Sequence, residues 1–169
     1  PSKTVTFKTY QSLSQTERRD KILNVTAQNI MNTKRILYYN IANEVKLYRF
    51  SSAMVPLATH PEVLWDYITP FKSKWEELGE LIKKYNIRPS FHPGQFTLFT
   101  SPKEEVTLNA IKDMEYQFTL LEAMKITERS SINIHIGGAY GDKETTLLRF
   151  HQNMTKLPGC IKEIMTFEH

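Results

Sequence analysis

Two periodicities take turns along this chain, and their alternation limits its fold more than any single residue does. Four times over, a segment with apolar residues three or four apart is followed by a short extended segment. Ser14-Gln15-Thr16-Glu17 has the form of a capping box, a helix start in which side chain and backbone satisfy each other. The helix it opens carries Ile22, Val25, Ile30 and Leu37, with a break expected once before Asn40. Glu44–Phe50 is then extended, Val45, Leu47 and Arg49 facing one way, Tyr48 and Phe50 the other. Pro70 suits the first turn of a second helix running to about Tyr85, with Trp75, Leu78, Leu81 and Ile82 on one face. Arg88–His92 is the second strand. Val106–Ile126 is a third helix with Leu108, Ile111, Met114, Phe118, Leu121 and Met124 as its stripe. Ile132–His135 is a short apolar strand, Thr145–Lys156 a fourth helix ended by Leu157-Pro158-Gly159, and Glu163–Glu168 a last strand.

Such alternation predicts parallel β/α architecture. A complete eight-fold barrel typically takes about 250 residues, and this chain has 169. It reads as a single domain over residues 1–169, either a small open α/β sheet or a partial TIM (β/α) barrel of about four parallel strands and four helices. The start on Pro1 rather than Met favours the partial barrel. A half-barrel would leave two unpaired strand edges and, on this expectation, unpartnered apolar inner faces, so either self-association across the edges or a retained open sheet is expected. The apolar fraction of 40% is enough for a packed core. The formal charge of +4 is compatible with a polyanionic partner without requiring one. Cys160 stands alone, which excludes a disulfide framework and fits a reducing cytoplasmic compartment. There is no apolar run of about 18 residues and no secretory pattern, so no membrane partner is expected.

His60, His92, His135 and Glu168 each fall at, or just beyond, the C-terminal end of an expected strand. In parallel β/α folds that edge carries the active site. Imidazoles with a carboxylate are a usual ligand set for zinc or manganese. A lone histidine is more often structural; three at one edge bring the two readings level. His92-Pro93-Gly94-Gln95-Phe96 makes a tight turn off a strand end. Gln95 and Phe96 projecting beyond it would suit wedging into a base stack, although on pattern alone Phe96 is expected to tuck into the core. In His135-Ile136-Gly137-Gly138 the two glycines allow close approach of a backbone or ligand. Gly141-Asp142-Lys143 lacks the spacing of a phosphate-binding loop. Lys143 and Arg149 serve equally as phosphate contacts or solvated charges. His151, within a helix, reads as structural, and His169 is given no role. No Ser-His-Asp or Cys-His nucleophile system is visible, which fits a water nucleophile.

At these residues the chain resembles the UV damage endonuclease family. Tyr48-Arg49-Phe50-Ser51-Ser52, running on to Pro56-Leu57-Ala58-Thr59-His60-Pro61, resembles a first block, and His92-Pro93-Gly94-Gln95-Phe96 a second. The run from His135 to Lys143, followed by Leu148-Arg149-Phe150 and Asn153, resembles the third and most specific. Thr166-Phe167-Glu168 resembles the start of a fourth. The resemblance implies a TIM barrel with a divalent metal cluster at its C-terminal face, usually manganese, with zinc or magnesium as alternatives. By position it implies His60, His92, His135 and Glu168 as metal ligands, with Glu168, His92 and His135 in catalysis. It implies Gln95 and Phe96 as probes of the duplex, where the family often has Tyr in place of Phe96, with Tyr140 and Lys143 as further DNA contacts. The implied substrate is damaged double-stranded DNA, cut on the 5′ side of a UV photoproduct or abasic site. The family also carries an earlier strand and, beyond the fourth block, further metal residues, and it has Asn where this chain has His169. The expected activity of this chain alone is therefore weak or nil. Another barrel enzyme, similar to endonuclease IV or a sugar isomerase, is the nearest alternative but lacks the Gly-Gly-Ala-Tyr-Gly-Asp-Lys run. A non-catalytic DNA-binding module and a purely structural α/β domain are the others.

Overall fold

The computed structural model describes residues 2–168. In chain order its elements are α1 (Phe7–Ser12), α2 (Gln15–Ala42), β1 (Leu47–Phe50), α3 (Lys72–Lys84), β2 (Arg88–Phe91), α4 (Glu104–Ala123), β3 (Ser131–His135), α5 (Lys143–Met154), the single-turn α6 (Gly159–Lys162) and β4 (Met165–Glu168). The strands form one sheet in the order β1-β2-β3-β4, and all three pairings are parallel. Each strand lies beside its predecessor after a helical crossover, as the alternation predicts.

The capping box of α2 is complete, with Ser14 accepting from the Glu17 N–H and Glu17 accepting from the Ser14 N–H. The break expected before Asn40 does not occur, and α2 runs unbroken for 28 residues. The polar residues that interrupt its apolar stripe are buried with partners. Thr26 and Thr33 donate to the carbonyls of Ile22 and Asn29, and Asn29 donates to the carbonyls of Lys3 and Met54. β1 starts three residues later than expected because Glu44 takes a left-handed conformation (φ 57°) and the Val45 N–H turns back to the Asn40 carbonyl. β4 also starts late, at Met165, since α6 and its C-terminal turn take up residues 159–164. Leu108, expected in the α4 core stripe, is exposed. The buried positions of that helix include Thr107, Ala110, Met114, Gln117 and Leu121, one residue off the expected line at its start.

The core lies between the sheet and α2, α3 and α4. Trp75, Leu78 and Ile82 of α3 and Met114, Leu120 and Leu121 of α4 are fully buried, together with Phe91, Ile132 and Ile134 of the strands. Phe50 and Phe91 are register partners and stack at 5.2 Å. Gly79 lies against the end of α4, where an added Cβ would sit 1.8 Å from the Met124 carbonyl oxygen.

Strand alternation sends the other set of side chains to the opposite face. That face carries Arg49, Ser90, Asn133, His135, Thr166 and Glu168, with His135 and Glu168 as register partners. The expectation of bare apolar inner faces is thus corrected: this face is mostly polar. The edges are open, as expected, with Leu47 of β1 and Phe167 of β4 both exposed.

Candidate metal centre at the strand ends

His92 follows β2 directly and shares the polar face with Ser90. His135 ends β3 and Glu168 ends β4. The three side chains offer ligand atoms that all lie within 4.8 Å of one another. His92 Nε2 is 2.7 Å from Glu168 Oε1, and His135 Nδ1 is 3.3 Å from the same oxygen. The two imidazoles lie 4.8 Å apart, centre to centre.

This donor set could hold a metal ion. His92 Nδ1 is 2.8 Å from the Pro93 carbonyl. A carbonyl can only accept, so Nδ1 carries a proton. A neutral His92 then turns the lone pair of Nε2 towards the Glu168 carboxylate, and two acceptors at 2.7 Å require positive charge between or beside them. Either a second proton or a metal ion supplies it. The Pro93 carbonyl and then the Glu168 carboxylate hold the His92 pKa above the ordinary imidazole value, while partial burial and then Arg49 oppose them. Glu168 is held below the ordinary carboxylate value, first by its hydrogen bond to His92 and then by that from Asn133.

Asn133 escaped the sequence reading. It lies two residues before His135, on the same strand face, and donates Nδ2 to Glu168 Oε2 at 2.7 Å. Its own Oδ1 accepts from the Thr166 hydroxyl at 3.0 Å, which fixes the amide. The available signal was the i, i+2 spacing to His135 on a short strand.

The structure does not bring His60 into this group. His60 lies in the loop after β1, where its ring stacks on Phe7 at 4.0 Å and Nδ1 accepts the Glu62 N–H. Gln95 and Phe96 are both exposed, Phe96 at 80%. The core place that pattern alone gives Phe96 is filled by Phe99, with Thr97 also buried. A Thr97 N–H bond to the Gly94 carbonyl at 2.9 Å closes the turn. The segment after it is tied down: Arg149 donates to the Thr100 carbonyl, Asn153 to that of Phe99, and the Thr100 hydroxyl to that of Ile136. Arg149 is therefore engaged in holding this loop. Gly137 takes φ 89°, and a Cβ there would lie 2.8 Å from the Thr100 hydroxyl, so its lack of a side chain serves the same close packing. Tyr140 is exposed and Lys143 is the exposed first residue of α5. Asp142 is the N-cap of that helix, accepting from the Thr145 N–H. His151, expected to be structural, is exposed near the end of α5, and His169 lies outside the described residues.

Fold and site together define a parallel β/α protein with two imidazoles and a carboxylate gathered at the C-terminal ends of three adjacent strands. The sequence pattern of the family UV-endonuclease UvdE matches residues 1–169, and the chain belongs to that family. It is 55% identical over 169 residues to the UV DNA damage endonuclease of Bacillus velezensis and 57% identical to that of Bacillus cereus. In each case all of this chain is matched to 53% of the relative, so the chain spans about half the length of the curated relatives it matches. The crystal structure of SacUVDE superposes with a TM-score of 0.89 at 33% identity, covering 99% of this chain and 55% of that one. Among the described residues no helix is long and apolar enough to cross a membrane.

Proposed function

We propose that this chain carries part of the active site of a metal-dependent DNA repair endonuclease that nicks duplex DNA 5′ to UV photoproducts and related lesions. The observation that carries the reading is the meeting of His92, His135 and Glu168 at one edge of the sheet. On this reading the four strands are one part of a TIM barrel, and the protein works on DNA in the cytoplasm. His92, His135 and Glu168 would hold a divalent cation, manganese first and zinc or magnesium next, and His60 would join them if its loop turned towards the strand ends. A bound cation of this kind supplies Lewis-acid activation of water and of the phosphodiester. Glu168 offers Oε1 to the two imidazoles while Asn133 keeps the other oxygen in place. The Pro93 carbonyl fixes the tautomer that leaves His92 Nε2 free to ligate.

The test is nicking of supercoiled plasmid with manganese, comparing irradiated with untreated DNA and adding a chelator as control. Nicking confined to irradiated DNA and abolished by chelation is expected from the complete protein. Equal nicking of both plasmids, or indifference to chelator, would sink the reading. Asn133→Ala is expected to weaken manganese binding by about 10–100-fold, the usual cost of losing an outer partner of a ligand. Titration calorimetry on the complete protein checks it.

Lesion recognition would use Gln95 and Phe96, with Tyr140 and Lys143 along the backbone. Phe96 is a large apolar ring held almost wholly in solvent on a closed turn, which suits insertion beside a displaced base. Phe96→Ala is expected to leave the melting temperature unchanged, because little burial is lost. It is expected to lower the preference for damaged over intact duplex by about tenfold, in line with about 1–3 kcal/mol for one base–aromatic stack. Competition binding reads this directly, and an unchanged preference refutes the role. Self-association through the open β1 and β4 edges belongs to the same reading of an incomplete barrel. Light scattering on this chain would show dimers or larger species, and a monomer at high concentration would refute it.

A further inference from the structure

Asp113 lies in the middle of α4. It is half-buried, and no cation pairs with it among the described ion pairs. Its carboxylate accepts from the Thr97 hydroxyl at 3.0 Å. Thr97 closes the turn that presents Gln95 and Phe96, through its N–H bond to Gly94. A half-buried carboxylate without a basic partner is costly unless hydrogen bonds offset its desolvation, and here the hydrogen bond goes to that turn rather than to the core.

We propose that Asp113 is a positioning residue that fixes the Gly94–Thr97 turn through Thr97 and so sets the preference for distorted over intact duplex. This rests on the reading of Phe96 as a wedge. A wedge discriminates only if it is held: a ring that moves freely inserts no better at a lesion than elsewhere, because ordering it on binding costs affinity. Thr97 is buried while Phe96, one residue earlier, is not, so the hydrogen bond to Asp113 anchors the turn at the point where the chain re-enters the protein.

The test uses Thr97→Val, which keeps the shape of the side chain and removes the donor, beside Thr97→Ser, which restores it, and Asp113→Ala, all in the complete protein. Two readouts are needed. Hydrogen exchange across residues 94–97 is expected to quicken in Thr97→Val and Asp113→Ala and to return in Thr97→Ser. The preference for a duplex carrying an abasic site over the intact duplex is expected to fall about tenfold in the first two, the worth of one hydrogen bond to a charged group, and to recover in the third. Manganese affinity is expected to stay constant throughout. Unchanged exchange overturns the proposal. So does an unchanged preference in Thr97→Val when Phe96→Ala loses it, and that result leaves the wedge reading intact. An unsubstituted protein with no preference for the abasic duplex overturns both.

Discussion

His92→Ala is expected to lower nicking of irradiated DNA by the complete protein at least about a hundredfold. Losing an outer partner of a metal ligand already costs about 10–100-fold, and His92 is proposed as a ligand itself. Three connections go together in this variant. The Pro93 carbonyl loses the N–H that fixes the ring, Glu168 Oε1 loses its nearest neighbour, at 2.7 Å, and a donor nitrogen is removed from the cluster. The fold should survive, because the His92 side chain meets the polar face and not the Phe50–Phe91 core. Plasmid nicking with circular dichroism as a control separates the two. Retained activity at a normal rate would remove His92 from the metal centre and with it the central element of the proposed function.

Gly79→Ala is expected to destabilise the protein by about 3 kcal/mol or more, at or beyond the upper end for over-packing. The sign is the informative part. In an exposed helix, alanine would stabilise by about 0.8–1.0 kcal/mol relative to glycine. In α3 the new methyl would meet the Met124 carbonyl oxygen at 1.8 Å, and this neighbour is backbone, so no rotamer change relieves the clash. The end of α4 must move away from α3, which separates Trp75, Leu78 and Ile82 from Leu120 and Leu121. A denaturant midpoint above that of the parent would show that α3 and α4 do not approach as closely as described.

The alternation of helix and strand was legible because each element carries its own period, and the capping box at Ser14 and the proline before α3 announced helix starts locally. The ends of β1 and β4 were not, because they depend on a left-handed Glu44 and on the extra turn of α6, neither of which alters the apolar pattern. The unbroken α2 was hidden for a related reason: Thr26, Asn29 and Thr33 look like interruptions until their hydrogen-bond partners are known. In the site, His92, His135 and Glu168 were readable as strand-end residues, since parallel strands gather their C-terminal ends. Asn133 was missed because a single amide inside an apolar strand signals its role only through its i, i+2 spacing to His135. His60 shows the converse limit. A loop residue near a strand end has the right address in sequence, yet its position depends on contacts such as Phe7 that no local pattern records. Phe96 is the plainest failure of pattern: apolarity sends an aromatic inwards, and only its own exposure, with Thr97 and Phe99 buried just after it, shows that the ring has been left outside.

The three members of the candidate metal cluster stand at the ends of three neighbouring strands, one at each. Such a site does not exist in the unfolded chain, so an ion bound there would act as a clasp across β2, β3 and β4, tightening with cation concentration. At a free ion level about a hundred times the dissociation constant, the clasp would add about 2.7 kcal/mol to the folded state. β4 is an edge strand only four residues long. Its attachment to the sheet would therefore be set in part by the surrounding ion supply.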